Sequence, residues 1–190
     1  NELVALKNVV LPNDACFELM KAVVEADPQN LAQMVQRLDA SVMPSAERSD
    51  LLNMAFLQTC EIGCTACMEI MVNAGSDLTA NDPTGQNALM LTVISKNLAA
   101  VRMALQSDWG LDLEKRSEAS LTAFLIACQL GCTSCIEMLE SAGCNTAAKT
   151  NTNVTALMLT VLSDEPAAVQ MALDKRWSEL EARDNDGDTA

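Results

Sequence analysis

The chain has 190 residues, 49% of them hydrophobic and 20% charged, which suits one folded domain with a substantial core and excludes a disordered chain. Its formal net charge is −14 and its only basic pairs are Lys115-Arg116 and Lys175-Arg176, so phosphate backbones and anionic lipid would be repelled and nucleic acid is excluded as a partner. No apolar run reaches the roughly 18–20 residues of a membrane helix, and with 7 Gly, 5 Pro, no Tyr and 3 Phe the core must be aliphatic and helical.

Residues 1–13 read as a lead-in whose apolar members could cover the first hairpin. They lack the basic n-region and long apolar stretch of a signal peptide, and a chain starting without Met reads as processed or as a fragment. With no address visible, a soluble protein in a reducing intracellular compartment is the default. Residues 14–38 carry two amphipathic helices, with Phe17, Leu19, Met20 and Val23 on the first and Leu31, Met34, Val35 and Leu38 on the second. Asp27-Pro28 marks the turn between them, since Pro suits the first turn of a helix. Residues 39–49, with Pro44, read as an irregular finger.

From there the chain repeats itself. Shifted by 68 residues, 55–109 falls on 123–177 with 27 of the 55 positions identical. Ala88-Leu89-Met90-Leu91-Thr92-Val93 returns intact at Ala156 to Val161, and Ala55-Phe56-Leu57 returns at Ala123-Phe124-Leu125. The 68-residue block is itself double. Its reference alanines stand at 55, 88, 123, 156 and 190, giving steps of 33, 35, 33 and 34 and two alternating versions, one Cys-rich and one ending near Trp109 or Trp177. Such a period belongs to stacked helical hairpins.

Residues 122–149 read Thr-Ala-Phe-Leu, a pair of small residues, a Gly turn, an Ile-bearing helix and then Ala-Gly-Cys-Asn. An Asp-x-x-Gly finger stands at Asp82/Gly85 and again at Asp184/Gly187. This pattern resembles the ankyrin repeat over about residues 49–190. The resemblance implies a mainly α solenoid: a right-handed superhelical stack of helix-turn-helix units with β-turn fingers. The units fall at approximately 14–48, 49–81, 82–116, 117–149 and 150–183, with 184–190 opening a further, incomplete one. Either the native chain is expected to continue past residue 190 or another surface to cover that face.

The sequence departs from the family pattern in three ways. Ala replaces the Pro of Thr-Pro-Leu-His, and Leu or Met replaces its His, so apolar packing must take over the linking that His provides. Asn153 stands for a finger Gly, which its tolerance of positive φ allows. Lys96 and Asp164 stand for the mid-hairpin Gly, so those two turns are expected to be built differently.

Cys60, Cys64, Cys67 and Cys128, Cys132, Cys135 both read C-x3-C-x2-C. Aligned on the repeat, they take small-residue, turn and Ile positions, and buried Cys behaves as a small hydrophobe. The alternative is a redox or disulfide role for Cys64, Cys67, Cys132 and Cys135, each pair being a C-x-x-C where a helix starts. Three thiols without His leave a tetrahedral metal site one ligand short. No metal or other cofactor is therefore expected.

Asp184 to Asp188 resembles a calcium loop, but it reads more simply as the finger of the next repeat. Met90, Met103, Met158 and Met171 read as core fillers. Trp109 and Trp177 read as plugs between repeats, with matched aromatic anchors for a partner as the alternative. Without His or Tyr, the commonest general base is missing, and no enzyme is expected.

The resemblance implies a concave side lined by the first helices and finger tips. The positions before each turn are Glu61-Ile62, Ile94-Ser95, Gln129-Leu130 and Leu162-Ser163, an aliphatic stripe rimmed by acid. With finger residues Asn81 to Thr84, Glu114 to Ser120, Lys149 to Asn153 and Arg183 to Asp186, it forms the expected docking surface. Ile62, Ile94, Leu130, Leu162, Glu61, Gln129, Asn81, Thr84, Lys149 and Asn153 are its candidate residues. The implied role is a non-catalytic interaction module or scaffold subunit of a larger assembly. The alternatives are a thiol-redox or metal-binding protein on the same stack, and the targeting segment of a larger multidomain enzyme.

Overall fold

A computed structural model describes residues 14–39, 44–106, 109–177 and 180–190; the lead-in at 1–13 lies outside them. Among the described residues there are ten helices and no strand. They form five hairpins: α1 (Asp14–Val24) with α2 (Pro28–Asp39), α3 (Ser45–Ile62) with α4 (Thr65–Asn73), α5 (Ala88–Ile94) with α6 (Leu98–Gln106), α7 (Ala123–Gln129) with α8 (Thr133–Ser141), and α9 (Ala156–Leu162) with α10 (Pro166–Lys175). The odd-numbered helices pack on one another in chain order and so do the even-numbered ones, giving two layers. Each hairpin buries its apolar face mainly against its neighbours, which is the solenoid principle.

Local chemistry sets the helix starts. Asn87, Thr122 and Thr155 precede α5, α7 and α9, and each side chain accepts the amide three residues on. At α9 the Met158 sulfur accepts the Thr155 amide in return, so a thioether takes the part that Glu or Gln usually plays in a capping box. Asp27 starts α2 by accepting the amides of Gln29 and Asn30. Buried Thr59, Thr92 and Thr160 satisfy their hydroxyls on carbonyls one turn back.

α3 departs from the expected plan. It begins at Ser45, so residues 45–49 are helix rather than finger, and the boundary placed between 48 and 49 falls inside it. Pro44 precedes a run of good helix formers, Ala46-Glu47-Arg48, with the acid of Glu47 near the helix N-terminus. Phe17 also departs: Leu19, Met20, Ala22 and Val23 bury one face of α1, whereas Phe17 is 52% exposed and shares the outer face with Val24 two turns away.

The mid-hairpin turns at Lys96 and Asp164 are not built differently. Their φ values are 56° and 57°, the same left-handed conformation that Gly63 and Gly131 adopt at 75° and 63°. The difference lies in what presses on the turn. A Cβ on Gly63 would stand 2.7 Å from the Ser95 Oγ and 2.8 Å from the Asn97 Cβ, and one on Gly131 would meet Glu165 and Ser163 equally closely. Glycine is needed where the next repeat's turn bears down, while Lys96 and Asp164 carry side chains at the cost of left-handed strain, about 1–2 kcal/mol. Asn97 Nδ2 donates to the Gly63 carbonyl, and Lys96 Nζ to that of Leu130, so successive turns are tied together.

The core is aliphatic with two aromatic pairs. Trp109 packs edge-on against Phe56 with ring centroids 5.4 Å apart, and Trp177 packs against Phe124 at 5.2 Å. With only 8% and 7% of their surface exposed, the two indoles plug the stack and offer no anchor to a partner. Met90 and Met158 are buried, and Met103 and Met171 lean on the same core.

Candidate interaction surface

The turn ends of α3, α5, α7 and α9 stand side by side because these helices pack in sequence. Ile62, Ile94 and Leu162 are the last residues of α3, α5 and α9, and Leu130 follows α7 directly. The four aliphatic positions are brought into one row but are unequally free. Ile62, Ile94 and Leu130 are half-buried against the core, whereas Leu162 is 74% exposed. Beside them Glu61 and Gln129 are exposed, and the Glu61 carboxylate accepts from Gln58 Nε2 at 2.9 Å. Ser95 and Ser163 turn their hydroxyls inward to the carbonyls of Thr92 and Thr160.

The fingers are built by an acceptor side chain at one repeated position. Asp82 Oδ1 accepts the amides of Thr84 and Gln86, and Asp184 Oδ1 those of Asp186 and Asp188. The hydroxyl of Thr150 does the same for Thr152 and Val154. Asp184 thus spends carboxylate capacity on the turn itself, as a finger residue does.

Neighbouring fingers are then stitched together: Glu118 N–H donates to the Thr84 carbonyl, Asn185 N–H to that of Thr152, and Arg116 Nη1 to those of Ser120 and Lys149. Of the candidate finger residues, Asn81 and Lys149 present exposed side chains beside backbone bridges to Asn87 and Thr155. Thr84 bonds Asp82 through its hydroxyl, and Asn153, at φ 62°, bonds Asn185. Arg116 was not legible as a structural residue because its two acceptors lie four and 33 residues away. Near the α4–α5 connection, the hydroxyl and amide of Thr79 hold the Asp77 carboxyl below its ordinary pKa.

The cysteines divide by position. Cys60, Cys67, Cys128 and Cys135 are buried, and burial pushes the thiols of Cys60 and Cys128 well up. Cys64 and Cys132 are half-buried at the starts of α4 and α8. The C-x3-C-x2-C motif does not gather its three thiols: among the described residues no three Cys, Asp or Glu side chains converge on a metal-binding group.

Stacked two-layer hairpins joined by bonded fingers define a repeat protein with an extended face. The model of ankyrin repeats, in three copies, matches residues 54–150, and the chain belongs to the ankyrin-repeat family. A comparison with curated proteins returned no match. Ankyrin repeats generally mediate contacts between proteins and are typically non-catalytic. No described helix is long and apolar enough to cross a membrane.

Proposed function

We propose that this chain is a non-catalytic docking module, or a scaffold subunit of a larger assembly, that holds a protein partner along the turn ends of its first-layer helices and its finger tips. The observation that carries this reading is the ordered row of Ile62, Ile94, Leu130 and Leu162, flanked by exposed Glu61 and Gln129. The fingers stitched from repeat to repeat carry Asn81, Thr84, Lys149 and Asn153 at the opposite end of the first-layer helices, next to their N-terminal caps at Asn87 and Thr155. A rigid, pre-ordered face loses little conformational freedom on binding. At −14 the chain favours a partner with a basic rim, and attraction of that kind weakens with salt.

Affinity capture with the native array, followed by binding measurements on the purified partner, tests this. Leu162→Ser combined with Glu61→Lys is expected to weaken binding at least tenfold while leaving the thermal midpoint within the spread of ordinary surface substitutions. Unchanged affinity in that variant, together with undisturbed folding, would remove this face from the docking role.

A further inference from the structure

The docking surface makes no use of the paired thiols, and here the geometry points to a reversible dithiol–disulfide couple formed by Cys64 with Cys67 and repeated by Cys132 with Cys135. Cys64 stands where α4 begins, half-buried, and its sulfur accepts the Cys67 amide at 3.4 Å. Cys67 is fully buried, and the two sulfurs are in contact at 2.6 Å. In the second copy Cys132 is half-buried at the start of α8, three residues before fully buried Cys135. Cys60 and Cys128 take no part in a three-thiol group, so each couple has two members.

The two sulfurs of a pair have unequal access, and thiol–disulfide exchange requires that inequality. The attacking thiol must be reachable from solvent, while the second should react only with its neighbour. Cys64 meets the first condition. Cys67 meets the second, since burial pushes its thiol up to about 12 and keeps it neutral until an electrophilic sulfur stands against it.

The co-reactant is a small-molecule disulfide. The Cys64 thiolate attacks one of its sulfurs, its S–S bond breaks, and one small thiolate leaves and takes up the proton that Cys64 released. Cys67 then loses its proton to solvent and attacks the Cys64 sulfur, closing the protein disulfide and expelling the second small thiolate, which is protonated in turn. The two protein sulfurs lose two electrons, and the small disulfide gains them as two thiols. Excess dithiothreitol drives the same steps backwards.

The test equilibrates the full chain with graded ratios of oxidised and reduced glutathione, quenches with acid, alkylates the remaining thiols and maps the peptides. Far-ultraviolet circular dichroism follows folding in parallel. The expected result is Cys64–Cys67 and Cys132–Cys135 linkages in the folded chain, both reversed by dithiothreitol. Cys67→Ala should stop at one glutathione on Cys64. Cys64→Ser, which places a favoured helix-starting residue at that site, should stay folded and leave Cys67 unmodified. Absence of both linkages at every ratio in the folded wild type would overturn the proposal, as would linkage of other cysteines instead or modification of Cys67 in folded Cys64→Ser.

Discussion

α5 and α9 begin with the same six residues, Ala-Leu-Met-Leu-Thr-Val, and follow similar caps at Asn87 and Thr155. Val93, sixth in α5, is fully buried, while Val161, sixth in α9, is 42% exposed. The next residue widens the contrast, from half-buried Ile94 to largely exposed Leu162. Nothing in either segment accounts for this. α5 packs between α3 and α7, whereas among the described residues α9 has α7 on one side and no corresponding first-layer helix on the other. Burial in a stacked chain is conferred by the neighbour as much as by the residue. One peptide is therefore core in one repeat and surface in another.

The largest expected effect breaks this equivalence directly. Val93→Asp places an unpaired carboxylate in a closed apolar site, costing several kcal/mol, enough to unfold a chain of ordinary stability. Val161→Asp leaves its carboxylate in water and should cost about 1 kcal/mol or less. Urea denaturation of the two variants measures the gap. Equal losses would mean that α9 is covered in solution as fully as α5.

Raising the pH acts on both neighbours of α5 at once, because α3 contributes Cys60 and α7 contributes Cys128. Burial raises both thiols above their ordinary 9.0, and it lifts Cys67, Cys135 and Cys144 to about 12. A raised thiol pKa means that the folded state holds its proton more tightly than the unfolded state. This source of stability is therefore complete below 9.0 and is lost as pH rises from there through the folded values. Thermal midpoints should hold steady up to that point and then fall. The double variant Cys60→Ala with Cys128→Ala should fall less steeply, and an identical slope would show that these thiols ionise without resistance from the fold.

The repeat, its step and its finger chemistry were legible because they depend on short-range signals: a cap three residues before an amide, an Asp two and four residues before others. Features set by distant contacts were not. Lys96 and Asp164 hide a glycine-like turn, since what forbids a side chain at Gly63 or Gly131 is the pressure of residues more than 30 positions on. Phe17 satisfied the apolar pattern but lies off the buried face, and the early start of α3 lacked a repeat to align with. For the candidate surface, the register of Ile62, Ile94, Leu130 and Leu162 could be read from the chain. Their unequal exposure could not, being the same neighbour effect that separates Val93 from Val161.

The turns allow a finer version of the comparison. Gly63→Ala adds a methyl group at positive φ against Ser95 and Asn97, and Gly131→Ala does so against Glu165 and Ser163; each should cost about 1–3 kcal/mol. Asp164→Gly, in the turn after α9, relieves left-handed strain and should raise the thermal midpoint slightly. Lys96→Gly gains the same relief but forfeits the bond from Nζ to the Leu130 carbonyl, so it should gain less. A larger gain at 96 than at 164 would mean that this bond adds nothing to the stack.

The smallest expected effect isolates the coupling between repeats from the strength of any one finger. Arg116 and Arg183 stand at corresponding places, and both donate to a carbonyl four residues on, Ser120 and Gly187 respectively. Only Arg116 also reaches the carbonyl of Lys149, at 2.7 Å, in the adjoining finger. Alanine at 183 removes a bond within one turn on an exposed surface, and should cost a few tenths of a kcal/mol at about the lower end of net hydrogen-bond values. Alanine at 116 removes that bond and a charge-assisted bond between repeats, and should cost about 1 kcal/mol more. Hydrogen exchange at Asn153, whose amide closes the Thr150 turn, separates the two parts of this cost. Faster exchange there in Arg116→Ala but not in Arg183→Ala would show that a finger borrows rigidity from the one before it. Equal exchange in both would reduce the stitching to independent turns that happen to touch.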